Sequence, residues 1–460
     1  MNIGFLNELL NSIAGQGRSL VDRALGLGPA AKTIDRLPLP DLARLLLSSR
    51  GEASGVVIAR EIIARYRSQD MAGKTAFLLA LANDFAADPD AIRRAFAAYD
   101  ANPDAATHHA LLEAVEPPRQ EVLRRINLAP GNTAGLVAMR ENLLDALGHT
   151  PALRPLDADF VHLFSSWFNR GFLVLRRIDW SSPAHILEKI IRYEAVHTIE
   201  SWDDLRRRIE PPDRRCFAFF HPALIDEPLI FVEVALTVDK PAAIEPILAE
   251  KREVLPVQAA KAAVFYSISN CQRGLAGISF GNFLIKQVVE ELRRELPDLS
   301  TFVTLSPVPG FRKWVEKEIA NPASTIISET DRPILDALDG EELEVEGLEA
   351  ATRVLQPLLA RYFLDARTPS GKVIDPVARF HLGNGARLDR LNLFADFSAK
   401  GWRDSYAAMV NYLYDLDAIE ENHERFVAQG EVVASPAVTK ALKGQPPHRP
   451  TPPPTRSIPA

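Results

Sequence analysis

Ser306 and His381 are the side chains of this chain whose types and settings most suggest chemistry. Ser306 opens the turn Ser306–Gly310, in which Pro307 and Pro309 restrict the backbone. A rigidly placed hydroxyl is what a catalytic group requires, so Ser306 could hold a substrate carboxylate or carbonyl. The alternative is that its hydroxyl only caps the local backbone, as serine before proline often does.

His381 is predicted to lie at a strand end, because the following residues 383–385 read Gly-Asn-Gly, a hairpin signal. Histidine has an ordinary pKa of about 6.5, which suits a general acid near neutral pH. Tyr414, on a helix predicted over 403–428, could extend its hydroxyl into the same pocket. A structural histidine and a core tyrosine are the competing interpretations.

A loop at 272–281 separates a predicted strand at 264–269 from an amphipathic helix predicted from about Phe280 to Leu296. Its three glycines permit close approach of the backbone, and its free N–H groups lie beside the positive end of a helix. The sequence therefore predicts a phosphate or pyrophosphate site. It is neither a P-loop nor a G-x-G-x-x-G motif, so a tight packing turn is the alternative.

The elements that must position these residues change in character along the chain. The first part is helical, and an N-terminal amphipathic stretch fits an ordinary helix better than a transit peptide, which avoids acids. Later segments mix strands with helices, which predicts an α/β domain with a substantially antiparallel sheet. We predict helices at 40–48, 56–66, 74–86, 90–99, 106–127, 133–147, 332–338 and 347–363, and strands at 217–220, 229–238, 264–269 and 301–305.

Composition excludes several classes of protein. The 460 residues predict more than one domain, and a formal charge of -7 argues against a nucleic-acid binder. The two cysteines and the spacing of the histidines predict neither a disulfide scaffold nor a metal site. No apolar run is long enough to predict a membrane span. Seven prolines in the last fifteen residues predict a disordered tail.

Several blocks, in order along residues 180–415, resemble the malonyl-CoA decarboxylase family. They are WSSPAHILEKIIRYEAVH at 180–197, FYSIS at 265–269, GLAG through LSPVPGFRKW at 274–314, FHLGNGARLDRLNLFAD at 380–396 and MVNYLYD at 409–415. The resemblance implies a helical oligomerisation domain at 1–165 and a catalytic domain at 166–432 that resembles a GNAT-type N-acetyltransferase, whereas the disordered tail at 433–460 is predicted from its prolines. It also implies a homotetramer, a dimer of dimers, that needs no cofactor because coenzyme A is part of the substrate. The lack of a convincing targeting signal predicts a cytoplasmic location.

The resemblance also assigns roles to particular residues. It implies that Ser306 and His381 are catalytic and that malonyl-CoA loses carbon dioxide through an enolate that is protonated to acetyl-CoA. It places substrate contacts on Ser267, Ala276, Gly277, Ile278, Ser279, Phe280, Gly281, Asn282 and Tyr414. Ser279 stands where the animal form has glutamate, so no role of that carboxylate transfers. The alternatives are an acyl-CoA-dependent N-acyltransferase and a non-catalytic acyl-CoA sensor.

Overall fold

The computed structural model describes residues 37–48, 51–278, 284–338 and 345–442. These residues fall into two compact units. The described residues of the first, called the helical unit, come from Met1–Val174, Phe220–Glu227 and Gln272–Phe280. Those of the second, called the sheet unit, come from Leu175–Phe219, Pro228–Cys271 and Gly281–Ala460. The predicted domain boundaries after residues 165 and 432 stay predictions.

The helical unit is built from helices whose leucine, isoleucine and phenylalanine side chains share a buried core. Aspartates cap several of them; Asp70, for example, accepts a hydrogen bond of 2.8 Å from the Gly73 N–H. The helices are α1 (Leu39–Ser48), α2 (Glu52–Ser68), α3 (Met71–Asp84), α4 (Pro89–Ala101), α5 (Ala105–Val115), α6 (Pro118–Leu128), α7 (Asn132–Leu147) and α8 (Arg154–Trp167).

The prediction of a single helix at 106–127 is wrong, because the chain forms two helices there, α5 and α6. Pro117 and Pro118 separate the two. Proline cannot donate to the preceding turn and pushes the residue before it out of the helical region, so the first helix must end.

The remaining chain alternates strands and helices. The elements are β1 (Val174–Ile178), α9 (Ala184–Tyr193), α10 (Trp202–Ile209), β2 (Arg214–Phe220), β3 (Pro228–Thr237), α11 (Glu245–Leu248), β4 (Ala262–Asn270), α12 (Leu284–Glu295), β5 (Thr301–Thr304), β6 (Ser306–Pro307), α13 (Phe311–Ala320), α14 (Arg332–Ala337), α15 (Val345–Leu364), α16 (Pro376–Gly383), β7 (Arg387–Asn392), α17 (Ala399–Ser405), β8 (Met409–Leu413), α18 (Ile419–Gln429) and α19 (Pro436–Leu442). The described part of the helix predicted at 280–296 forms α12. The segment predicted as a tail from residue 433 contains α19.

The described strands form one sheet in the order β1-β2-β3-β4-β5-β8-β6, with β7 also paired to β8. β4 runs antiparallel to β3 and parallel to β5, whereas β8 runs antiparallel to β5, β6 and β7. A helical region followed by a mixed, substantially antiparallel α/β domain is therefore confirmed. One face of the sheet forms a buried core that includes Val264, Tyr266, Val303, Leu305 and Met409.

Two predicted settings of functional residues are wrong. His381 lies in the last turn of α16 and not at a strand end. Asp375 accepts the Ala378 N–H at the start of that helix, and Pro376 occupies its first position, which together outweigh the glycine signal that follows. Tyr414 follows β8 directly and is not on a helix, because pairing of β8 with β5, β6 and β7 holds the preceding residues extended.

None of the helices in the described ranges has the length and apolar content needed to cross a membrane. Over the same ranges, no group of three or more histidine, cysteine, aspartate or glutamate side chains is arranged to hold a metal ion.

Candidate active site

Ser306 lies in β6, opposite Val410 of β8, and only 5% of its surface is exposed. Its hydroxyl donates to Oγ1 of Thr304 at 2.8 Å and lies 3.2 Å from Nε2 of His381. Both contacts are to other side chains, so they are not those of a hydroxyl that caps the local backbone. The serine joins a chain of buried polar side chains within the sheet unit.

His381 completes this chain from the other side. Its Nδ1 lies 2.8 Å from the hydroxyl of Tyr414, and its ring stacks on that of Tyr412 with the centroids 4.6 Å apart. His381, Tyr412 and Tyr414 are all buried. The structure thus brings Ser306, His381 and Tyr414 together, although they come from three separate parts of the chain.

The donors in this chain can be assigned from the number of available protons. A serine hydroxyl has one proton, and that of Ser306 is donated to Thr304, so Ser306 must accept from Nε2–H of His381. A neutral imidazole carries its proton on one nitrogen only, so Nδ1 accepts from the Tyr414 hydroxyl. The order of donation is Tyr414 to His381 to Ser306 to Thr304.

The electrostatics of the site agree with this assignment. Burial lowers the pKa of His381 to about 3, because the charged ring would lose its hydration. Burial likewise raises the pKa of Tyr414 well above its usual value, so its hydroxyl keeps the proton that it donates. At neutral pH the site therefore holds a neutral histidine whose Nε2–H points to Ser306.

Thr304 and Tyr412 belong to this site and were missed in the sequence. Thr304 is fully buried, and its Oγ1 also accepts the backbone N–H of Tyr412 at 3.2 Å. The alternation of side chains in extended backbone was the available signal, because it places residue 304 on the same side as residue 306. The same rule relates Tyr412 to Tyr414.

Ser267 lies in β4 and makes a different set of contacts. Its hydroxyl donates to Oε2 of Glu194 at 2.6 Å, and Oε1 of Glu194 accepts the N–H groups of Val196 and His197 at 2.7 and 2.8 Å. Ser267 and Glu194 are both buried. Because its proton is engaged, Ser267 offers only acceptor lone pairs in this state. Glu194 was also missed, although it lies in one of the blocks that carry the resemblance.

The described part of the predicted anion loop, residues 272–278, belongs to the helical unit. Ala276 and Gly277 are exposed, whereas Ile278 is buried. Gly277 has φ of +78°, a left-handed conformation that glycine adopts without strain. The predicted contacts Ser279, Phe280, Gly281 and Asn282 lie outside the described residues.

Sequence models of one family match most of the chain. The malonyl-CoA decarboxylase C-terminal domain matches residues 171–451, and the malonyl-CoA decarboxylase N-terminal domain matches residues 85–168. Together these two matches include every residue of the site described above.

Individual proteins give the same result. A mitochondrial malonyl-CoA decarboxylase from Anser anser anser is 32% identical over 455 residues, which cover 91% of this chain and 87% of that protein. The crystal structure of malonyl-CoA decarboxylase from Rhodopseudomonas palustris is 57% identical, with a TM-score of 0.85 over 87% of this chain and 98% of that one. The corresponding structure from Agrobacterium vitis is 55% identical, with a TM-score of 0.84 over 88% of this chain and 100% of that one.

Proposed function

The chain belongs to the malonyl-CoA decarboxylase family, and from this premise we propose that it is a carboxy-lyase that converts malonyl-CoA to acetyl-CoA and carbon dioxide. The observation that carries the proposal is the buried hydrogen-bonded pair of Ser306 and His381. Its histidine is neutral before substrate arrives, because burial lowers its pKa to about 3.

The reaction requires one electron sink and one proton. The bond between the α-carbon and the carboxylate breaks, carbon dioxide leaves, and the electron pair passes to the thioester as an enolate. The enolate carbon then takes a proton to give the methyl group of acetyl-CoA. A preorganised donor to the enolate oxygen commonly contributes roughly 3 to 4 kcal/mol, and a positioned acid about 10² to 10⁴ in rate.

We assign the proton to Nε2 of His381. The carboxylate of malonyl-CoA brings a negative charge into the pocket, and a nearby opposite charge raises the pKa of a histidine. The ring takes up a proton from solvent at Nδ1 and enters the reaction as imidazolium, then gives its Nε2 proton to the α-carbon and is left neutral with its proton on Nδ1. The hydrogen bond between Tyr414 and Nδ1 can persist in both protonation states of the ring, because a hydroxyl can donate to a bare Nδ1 and accept from Nδ1–H.

Ser306 is the group we assign to substrate orientation. Its hydroxyl lies between Thr304 and His381. A small rotation of the O–H group would move its hydrogen bond from Thr304 to a substrate carboxylate or thioester oxygen. Ser267 and Tyr414 are proposed as further pocket residues, and residues 276–282 as contacts to coenzyme A. The scheme uses no metal and no cofactor, since the thioester itself accepts the electrons.

Deuterium incorporation tests this scheme. In deuterated water the reaction should place one deuterium on the methyl group of each acetyl-CoA, because Nε2 of His381 exchanges with solvent. Mass spectrometry of the product gives the answer. Acetyl-CoA without deuterium would contradict protonation by an exchangeable group and would overturn the assignment to His381.

We further propose that the chain assembles as a homotetramer through its helical unit. Helices α4 and α5 pack on each other, with the rings of Tyr99 and His108 5.9 Å apart, yet neither helix contains a buried residue. Phe96 of α4 and Leu112 of α5 are 57% and 51% exposed, so this pair of helices presents large apolar side chains that a partner chain could cover. Light scattering should give the mass of four chains, and the mass of one chain would contradict the proposal.

The setting of the reaction is also proposed. The bacterial structures at 55% and 57% identity are closer relatives than the mitochondrial protein at 32%, which supports a cytoplasmic location. Removal of malonyl-CoA would serve malonate use or limit the supply of malonyl-CoA to fatty acid synthesis. Cell fractionation with an antibody against the chain tests the location.

A further inference from the structure

One side of helix α7 in the helical unit contacts the loop proposed to bind coenzyme A. Three of the contacting residues lie three, four and eight positions after the first one, Val137, which places all four on one face of the helix. They are Val137, Arg140, Glu141 and Asp145. Glu141 and Asp145 form ion pairs with Arg273 at the start of the loop.

The loop lies directly against the helix backbone at Gly274. A side-chain carbon at this position would lie 2.0 Å from the carbonyl oxygen of Val137, so only glycine fits. This close contact holds the first residues of the loop in place against the helix. Gly277, three residues later, has no atom of the described residues within 4 Å of its would-be side chain, so none of those residues crowds the loop there.

Arg140 forms the central contact. Its side chain is buried and donates through Nη1 to the carbonyl oxygens of Gly274 and Ala276, at 2.9 and 2.8 Å. Through Nε it donates to Asp157 at 2.9 Å. Arginine has no acceptor, and its rigid planar group can hold two carbonyls at once.

This contact determines where the next amide group points. In a planar trans peptide the carbonyl of one residue and the N–H of the next point in opposite directions. Because the Ala276 carbonyl points to Arg140, the Gly277 N–H points away from it. Ala276 and Ile278 donate their own N–H groups to Arg273 and Leu275, whereas Gly277 N–H has no acceptor among the described residues.

We propose that Arg140 is a positioning residue for recognition of the diphosphate of coenzyme A. It holds two loop carbonyls away from the anion, which their partial negative charge would repel, and it leaves the Gly277 N–H free to donate. Arg140 does not touch the substrate in this account. The inference depends on the proposed function, because it takes the loop to be the coenzyme A site.

Arg140→Met tests the inference, because methionine keeps much of the side-chain volume and removes every donor. We expect KM for malonyl-CoA and the calorimetric Kd for coenzyme A to rise roughly 10- to 100-fold, the loss typical of one charge-assisted hydrogen bond. We expect kcat to stay within about threefold. Arg140→Lys, which keeps one donor group, should give an intermediate KM.

A truncated substrate separates positioning from general damage. Malonyl-pantetheine lacks the diphosphate, so Arg140→Met should leave kcat/KM for this substrate within about threefold of the wild-type value. Equal losses with malonyl-CoA and malonyl-pantetheine, or an unchanged Kd for coenzyme A, would overturn the proposal. A wild-type protein that binds no coenzyme A would instead remove the proposed function on which the inference depends.

Arg119→Met is the matched control. Arg119 is also a buried arginine of the helical unit, and it pairs with Asp159 and donates to the Ala82 carbonyl at 3.0 Å, but it does not contact the loop. Both variants should lower the thermal midpoint to a similar extent, and only Arg140→Met should raise KM. A similar rise in KM for Arg119→Met would assign the effect to loss of stability and overturn the positioning role.

Discussion

The hydroxyl of Tyr414 lies 2.8 Å from Nδ1 of His381, and this bond decides which ring nitrogen of the neutral histidine carries the proton. With Nδ1 accepting, Nε2–H is directed to Ser306, where the substrate is proposed to react. The tyrosine therefore sets the orientation and the tautomer of the histidine without taking part in bond breaking.

Tyr414→Phe should lower kcat by roughly 10- to 100-fold and leave KM within about threefold, because it leaves a buried ring nitrogen without a partner. Steady-state kinetics with malonyl-CoA measures both constants. Tyr412→Phe is the comparison, since its ring stacks on His381 but its hydroxyl has no partner among the described residues. Equal losses in the two variants would contradict the special role of the Tyr414 hydroxyl.

Thr304→Val should lower kcat by about tenfold, because valine has the shape of threonine but cannot accept the proton of Ser306. The serine hydroxyl would then lose its fixed direction. Thr304→Ser retains the acceptor and should recover most of the activity. If the serine and valine variants were equally impaired, packing of the threonine methyl group and not its hydroxyl would be the cause.

His381→Gln should lower kcat by about 10² to 10⁴ while coenzyme A affinity changes less than threefold, because glutamine keeps a polar side chain but cannot transfer a proton. Product formation and calorimetric titration with coenzyme A measure the two quantities separately. Turnover close to that of the wild-type protein would remove His381 from the mechanism.

The buried carboxyl group of Glu233 should make the stability of the folded protein depend on pH. It is fully buried in β3, and burial, followed by the nearby charge of Glu194, raises its pKa from 4.5 to about 8. The folded protein therefore holds a proton that the unfolded chain has lost between about pH 4.5 and 8. The stability that this bound proton contributes is fully present below about pH 4.5. It is lost as the pH rises through about 8, the pKa in the folded protein.

Glu233→Gln mimics the protonated form, so its thermal midpoint should be close to that of the wild-type protein at pH 5 and higher than it at pH 9. Thermal unfolding across this range measures the difference. Glu291→Gln, on the accessible side of α12, should show no such dependence. A difference between Glu233→Gln and wild type that stays constant with pH would contradict the raised pKa.

The sequence predicted the two-part fold and most helices, because apolar spacing and caps are local signals. It also identified Ser306 and His381 as candidate catalytic residues, and the structure places them within hydrogen-bonding distance. It failed on the element that carries His381, since the glycines after it resemble a hairpin while the capping residues before it form a helix.

The supporting contacts could not be predicted, because they depend on long-range pairing. Glu194 and Ser267 are 73 residues apart, and Arg140 is 136 residues from Ala276. No periodicity or local motif relates such positions. Thr304 is different, because strand alternation next to Ser306 was enough to identify it.

The most direct test of the account is to treat the purified protein with a chelator, add malonyl-CoA alone, and measure acetyl-CoA and carbon dioxide together. We expect both products in equal amounts, with no amine, metal or cofactor added. Malonyl-CoA that binds but stays intact would contradict the account and would favour an acyl-CoA sensor. Release of coenzyme A that requires an added amine would favour an N-acyltransferase.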